Sequence, residues 1–141
     1  MNDNNSIYNL TKREKEIMNI LWDSDKPLMA AEIACKGKNL TINTVRAVLT
    51  KLSSMDLILV TGVEYSGTVL SRCYQPSQSK KIYNMQKFVD SFLSEGLSTS
   101  NLVATLLEKE HDTTRYMQEL DELERLVNEK KEKLKDKKTC D

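Results

Sequence analysis

Asn43, Thr44, Arg46, Ala47, Thr50 and Lys51 fall on one side of a helix drawn through NLTINTVRAVLTKL, residues 39 to 52. At about 100° per residue, Ile42, Val45, Val48, Leu49 and Leu52 share the opposite side. What these polar types offer is hydrogen bonding without acid, since no Asp or Glu lies between Lys38 and Lys51. A DNA major groove about 12 Å wide admits one α-helix, and its phosphates repel carboxylates. Asn43 suits adenine N6 and N7, Arg46 suits guanine or phosphate, and the Ala47 methyl suits thymine. Thr50 and Lys51, further along, suit the sugar-phosphate backbone, and Thr41 supplies the helix cap. Charge pattern alone leaves this face undecided between a reading surface and an ordinary solvated helix side. Its position after a tight turn, Gly37 to Leu40, favours reading, because in helix-turn-helix units the helix after the turn enters the groove.

Catalytic chemistry is missing. The one histidine, His111, sits between Glu110 and Asp112 at a helix junction, with no convergent partners for metal or proton transfer. The glycines form no phosphate loop and no nucleophile elbow. Cys35, Cys73 and Cys140 are odd in number, widely spaced and free of any C-x-x-C pair, so they read as reduced thiols rather than a disulfide framework or zinc site. No enzyme, metal or cofactor is expected.

The elements that position the reading face follow from periodicity and caps. Thr11 with Glu14 forms a capping-box pattern ahead of Ile17, Met18, Ile20, Leu21 and Trp22, which predicts a helix over about 12 to 23. Asp23 to Pro27 is a turn. A short helix from Ala30 to Lys36 ends at Gly37, a fitting C′ residue, and starts without a good cap at Met29. The third helix runs from Thr41 to about Met55. Residues 57 to 63 and 69 to 74 then suit two strands, with Glu64 to Thr68 as the hairpin tip and Gly67 free to take positive φ. Three helices and a hairpin in about 65 residues is the winged-helix order. Tyr65, Ser66 and Arg72, with Thr68 and Ser71, make the wing's polar set, although Glu64 keeps it from being strongly basic.

Beyond Pro76 and Ser77 everything reads as helix: Lys80 to Leu93, a break at Glu95-Gly96, a helix capped by Ser98 or Thr99, and a last one capped by Asp112 and reaching about Lys135. The last carries Tyr116, Leu120, Leu123, Val127 and Leu134 on a heptad-like seam, with Lys130 in its polar slot. Such helices are too few and too apolar to stand alone, so a second copy of the chain is the expected partner, through Val89, Phe92, Leu102, Leu106, Leu120, Leu123 and Val127. The expected division is a DNA-binding domain over 1 to 78, a helical dimerisation domain over 79 to 136, and a disordered tail over 137 to 141.

With 141 residues, 39% apolar and 30% charged, the chain is a soluble, helix-favouring one with zero net formal charge. Residues 1 to 80 carry 10 Lys or Arg against 8 Asp or Glu, and residues 81 to 141 carry 11 against 13. Any DNA binding must therefore come from a local cluster rather than bulk charge. No long apolar run and no secretory leader is visible, so membrane insertion is not expected and a cytoplasmic location is.

The run LTKREKEIMNILWDSDKPLMAAEI, then LTINTVRAVLTKL, then the wing ending CYQPSQSKK and the later STSNLVATLLEKE resemble the penicillinase-repressor family of transcriptional regulators, with its BlaI, MecI and CopY groups. The E-x-x-I-M-x-I-L-W block, the T-V-R core of the third helix and the Y-x-P closing the wing carry the likeness, which spans about residues 8 to 130. The resemblance implies a homodimeric repressor on a dyad operator, with the carboxy-terminal helices holding the dimer. In one branch it also implies a sensor-protease that relieves repression by cutting those helices. The family's Asn-Phe cleavage pair, aligned on Leu102 and Val103, falls here on Thr105 and Leu106. Asn43 and Ala47 stand where the family often has Lys and Thr, which implies a different operator. The copper branch's paired C-x-C tail is reduced here to Cys140. Two rival readings remain beside this one: a winged helix used to bind protein, and a ligand-sensing regulator that is not induced by proteolysis.

Overall fold

The computed structural model describes residues 8 to 109 and 113 to 139. His111, the Asp112 cap and Cys140 lie outside the described residues. The element order is α1 (Lys12–Asp23), β1 (Leu28–Met29), α2 (Ala30–Lys36), α3 (Ile42–Ser54), β2 (Ile58–Ser66), β3 (Val69–Pro76), α4 (Lys80–Ser94), α5 (Thr99–Glu108) and α6 (Thr113–Thr139). The chain divides into two compact units, residues 1–92 and 93–141.

In the first unit, α1 starts where its sequence says it must. The Thr11 hydroxyl accepts the Glu14 N–H at 3.3 Å, and the Glu14 carboxylate accepts the Thr11 N–H at 3.3 Å. Two otherwise orphan backbone donors are satisfied reciprocally. The buried side of α1, Ile17, Met18 and Leu21, packs with Ile33 of α2 and with Val45, Leu49 and Leu52 of α3. Leu10, Leu28, Leu40, Leu57, Ile58 and Tyr83 complete that core. Ile42 departs from the expected apolar side: it lies in the first turn of α3, ahead of the core residues, and is 36% exposed.

The α2 start is better capped than its sequence suggests. Met29 offers no capping side chain, but Glu32 accepts the Met29 N–H at 3.0 Å, which is half of a capping box. Gly37 is not a left-handed C′ residue, because its φ is −85°. It must be glycine for another reason: a Cβ there would lie 2.0 Å from Cδ1 of Leu40, a core residue. The left-handed step in this turn is taken by Asn39, φ 57°, a residue type that tolerates it.

The sheet has three antiparallel strands in the order β1-β3-β2. β1 adds to the two expected strands; its two residues pair with Tyr74 and Cys73 of β3. The hairpin tip is also shorter than expected, since pairing continues to Ser66 and Val69 and leaves only Gly67 and Thr68 as the turn. Gly67 has φ +66° while Thr68 is not left-handed, the pattern of a type II′ turn, which matches the natural strand twist. Between Val60 and Gly62 the register shifts, so Thr61 is an extra, bulged residue.

Near its start, α4 is sewn to this unit. Tyr83 is 5% exposed, its ring lies 5.1 Å from that of Trp22 and 5.6 Å from that of Tyr8, and the Trp22 indole donates to the Gln78 carbonyl at 3.1 Å. The compact unit consequently runs on into α4 and does not stop at residue 78.

In the second unit, Ser98 caps α5 by accepting the Asn101 N–H. The Tyr116 hydroxyl donates to the Leu107 carbonyl at 2.8 Å, tying α6 to the end of α5. α6 continues to Thr139, so residues 137 to 139, expected in the tail, are helical. Seam residues Leu123, Val127 and Leu134 are 38%, 52% and 49% exposed, so the unit's own helices do not cover that stripe.

Candidate nucleic-acid interface

The third helix is fixed from three sides. Thr41 caps it by accepting the Thr44 N–H at 3.2 Å, and the Thr41 hydroxyl donates to the Thr44 hydroxyl at 2.9 Å. At the far end, the Asp56 N–H donates to the Ser53 carbonyl and the Leu57 N–H to the Leu52 carbonyl, both at 3.1 Å. This is a Schellman closure in which Asp56, φ 58°, takes the place usually held by glycine. Val45, Leu49 and Leu52 anchor the inner side at 1% exposure or less.

Asn43, Arg46, Ala47 and Thr50 are all exposed on the outer side, as is Thr41, while Thr44 is half-buried on its flank. The Thr50 hydroxyl donates back to the Arg46 carbonyl at 2.9 Å, which leaves its oxygen to accept. Among the described residues, Arg46 has no carboxylate within salt-bridge distance and the Asn43 amide has no hydrogen-bond partner. A row of donors and acceptors not spent inside the fold is what base-edge recognition requires.

Lys51 is placed differently from its helix neighbours. Its ammonium donates to Glu14 Oε1 at 2.6 Å, while its side chain stays 56% exposed. Glu14 itself is 3% exposed. Burial raises its pKa, but the hydrogen bond from Lys51 and those from Thr11 outweigh burial, and the carboxyl is held below its ordinary value. Nothing in the local sequence signals this α1–α3 pair, because its members are remote along the chain.

The turn into α3 is clamped as well. Arg13 donates to the Lys38 carbonyl at 3.2 Å, and the Lys38 N–H donates to Glu16 Oε1 at 3.0 Å. Arg13 and Glu16 also pair with each other at 3.3 Å.

On the wing, the register sorts the expected set onto two faces. Tyr65 pairs with Leu70, Val63 with Arg72, and Val60 with Tyr74, so Tyr65 and Arg72 share one face with Val60, Val63 and Leu70. Tyr65 is 72% exposed and Leu70 58%. Ser66 lies on the other face with Ser71 and Glu64. No group of three or more His, Cys, Asp or Glu able to hold a metal occurs among the described residues, and no helix there is long and apolar enough to cross a membrane.

Among known proteins, the family model described as the penicillinase repressor matches residues 10–129. None of the curated proteins matches the sequence. Solved structures with a loose similarity include two. One is a MarR family regulator from Neisseria meningitidis, at TM-score 0.43 and 20% identity over 86% of this chain and 78% of that one. The other is the Giardia lamblia Hop2-Mnd1 complex, at TM-score 0.36 and 21% identity over 88% of this chain and 80% of that one. The family match spans both units, from the α1 cap to the last helix, and the chain belongs to the penicillinase repressor family of DNA-binding transcriptional regulators.

Proposed function

We propose that the protein is a transcriptional repressor that acts as a homodimer on a dyad operator. The observation that carries this reading is the outer side of α3: exposed, free of acid, with Asn43 and Arg46 unspent, on a helix pinned at its cap, its turn and Lys51. In this reading Asn43, Arg46 and Ala47 meet base edges. Thr41, Thr44, Thr50, Lys51, Tyr65, Ser66 and Arg72 meet the backbone, with Lys51 using donors that Glu14 leaves over.

Two half-sites need two chains. Val89 is 41% exposed, Leu106 59%, Leu123 38% and Val127 52%, and with Phe92, Leu102 and Leu120 they supply the apolar surface that a second copy covers. One winged helix gripping mostly phosphate binds at about 10⁻⁴ to 10⁻⁶ M, and linking two gains about 10² to 10⁴. Release by a sensor-protease at Thr105–Leu106 would remove that gain without touching α3. That bond lies inside α5, where the Thr105 hydroxyl donates to the Asn101 carbonyl at 2.8 Å. A protease needs α5 locally unwound to reach it.

Mobility shift on the protein's own promoter region tests the reading. Arg46→Ala and Asn43→Ala are each expected to weaken specific binding by about 1 to 3 kcal/mol; specific binding that survives both substitutions means α3 is not the reading helix. The apolar wing face of Val60, Val63, Tyr65 and Leu70 favours a second reading, in which the winged helix binds protein. Binding that does not weaken with salt would support that second reading over the first.

A further inference from the structure

A basic cleft of about 700 Å³ opens between the first turns of α1 and the turn that leads into α3. Lys12, Arg13, Lys15, Lys36 and Lys38 line it against a single carboxylate, Glu16. In a chain of zero net charge, five cations to one anion in one cleft is a strong local excess. The carboxylate is already engaged, since Glu16 accepts from the Lys38 backbone and from Arg13. All four lysines are exposed, and among the described residues none has a carboxylate within salt-bridge distance. Lys36 does stand near enough to Glu32 to help keep it ionised.

Like charges gathered with so little internal compensation repel one another, so folding alone gives no reason to collect them here. An external polyanion does. The position of the cleft indicates which one: Lys38 and Asn39 lead directly through Leu40 into the Thr41 cap, so the cleft flanks the amino-terminal end of α3. A helix about 10 to 12 Å across fills a groove about 12 Å wide, and the residues just ahead of its first turn then meet the phosphate wall.

We infer that this cleft is a second DNA-binding site, in which Lys12, Lys15, Lys36 and Lys38 bind the phosphates bordering the groove that α3 enters. The inference rests on α3 being the reading helix and deepens that reading. The clamp from Arg13 and Glu16 onto the Lys38 backbone fixes the cleft to α3, so grip and reading share one register. Because phosphates carry no sequence information, the cleft contributes equally on any duplex.

The test compares the full chain with its Lys12→Gln, Lys15→Gln, Lys36→Gln, Lys38→Gln quadruple variant on two duplexes, the promoter segment and a scrambled one, across a salt series. A matching thermal melt establishes that the fold is kept, as expected for exposed side chains. The expected result is a loss of about tenfold or more on both duplexes, an unchanged promoter preference, and a salt slope shallower by about 0.9 for each phosphate that the variant no longer neutralises. A quadruple variant that binds both duplexes with the wild-type slope overturns the inference. If Asn43→Ala and Arg46→Ala still abolish promoter preference in that case, the α3 reading stands without the cleft. If the wild-type chain binds neither duplex, the α3 reading fails and takes the inference with it. Amide shifts at Lys38 and Asn39 on adding inorganic phosphate, together with an unchanged DNA slope in the quadruple variant, would make the cleft a small-anion site and also overturn the proposal.

Discussion

Asp56 sits in the left-handed region at φ 58°, one residue past the α3 cap, with its carboxylate at the negative end of the helix dipole. Both features cost stability, the first through the Cβ and the second through charge. Asp56→Gly removes both while keeping the Schellman bonds, so it is expected to stabilise the protein by about 1 kcal/mol, read as a higher midpoint in thermal or urea unfolding. Gly37 is the converse case. A methyl there collides with Leu40, and Gly37→Ala is expected to cost about 1 to 3 kcal/mol by overpacking, measured in the same way. The sequence marks residue 37 as a glycine position, but the cause is a collision within the turn and not a backbone angle. Thr11, Thr41 and Ser98 are legible as caps because a cap is a local device, complete within four residues.

Between elements, the Glu14–Lys51 pair joins α1 to α3 and makes that joint sensitive to acid. The folded carboxyl titrates below its ordinary value near 4.5, so its contribution is present above that value and is lost as pH falls through the lower folded value. Glu14→Gln should lower stability at neutral pH and also flatten the fall in stability below about pH 4.5. Unfolding midpoints taken between pH 3 and 7 check both parts, and an unchanged acid slope in the variant would remove Glu14 as its source. The helices themselves are legible in the sequence because their apolar period and caps are local. β1 is not, because two residues carry no period and their pairing with Tyr74 and Cys73 joins stretches remote along the chain. Thr61 is hidden for a related reason: a bulge is defined by its partner strand, and the run Leu57 to Val63 looks the same with or without one. The outer side of α3 is legible as a face, whereas the basic cleft beside it is not, since its lysines come from two separate stretches that only folding brings together.

For the whole molecule, the exposed seam of α6 leads to a prediction about assembly. Placing charge on it with Leu123→Lys and Val127→Lys in the full chain should convert the proposed dimer to a monomer in sedimentation and weaken binding to the proposed operator by about 10² to 10⁴. A variant that still sediments as a dimer would move the interface elsewhere. Those helices are legible as helices, but the use of their apolar faces is not, because core and interface present the same pattern to one sequence. The seating of α4 on the first unit has a further, optical use. Trp22 is the chain's one tryptophan, and it is wedged against Tyr83 where α4 joins that unit. Its emission therefore comes from a single place, beside that joint and the core beneath it. Any event that lifts α4 away, whether unfolding, DNA binding or cleavage further along, would be visible as a red shift of native fluorescence, with no label attached.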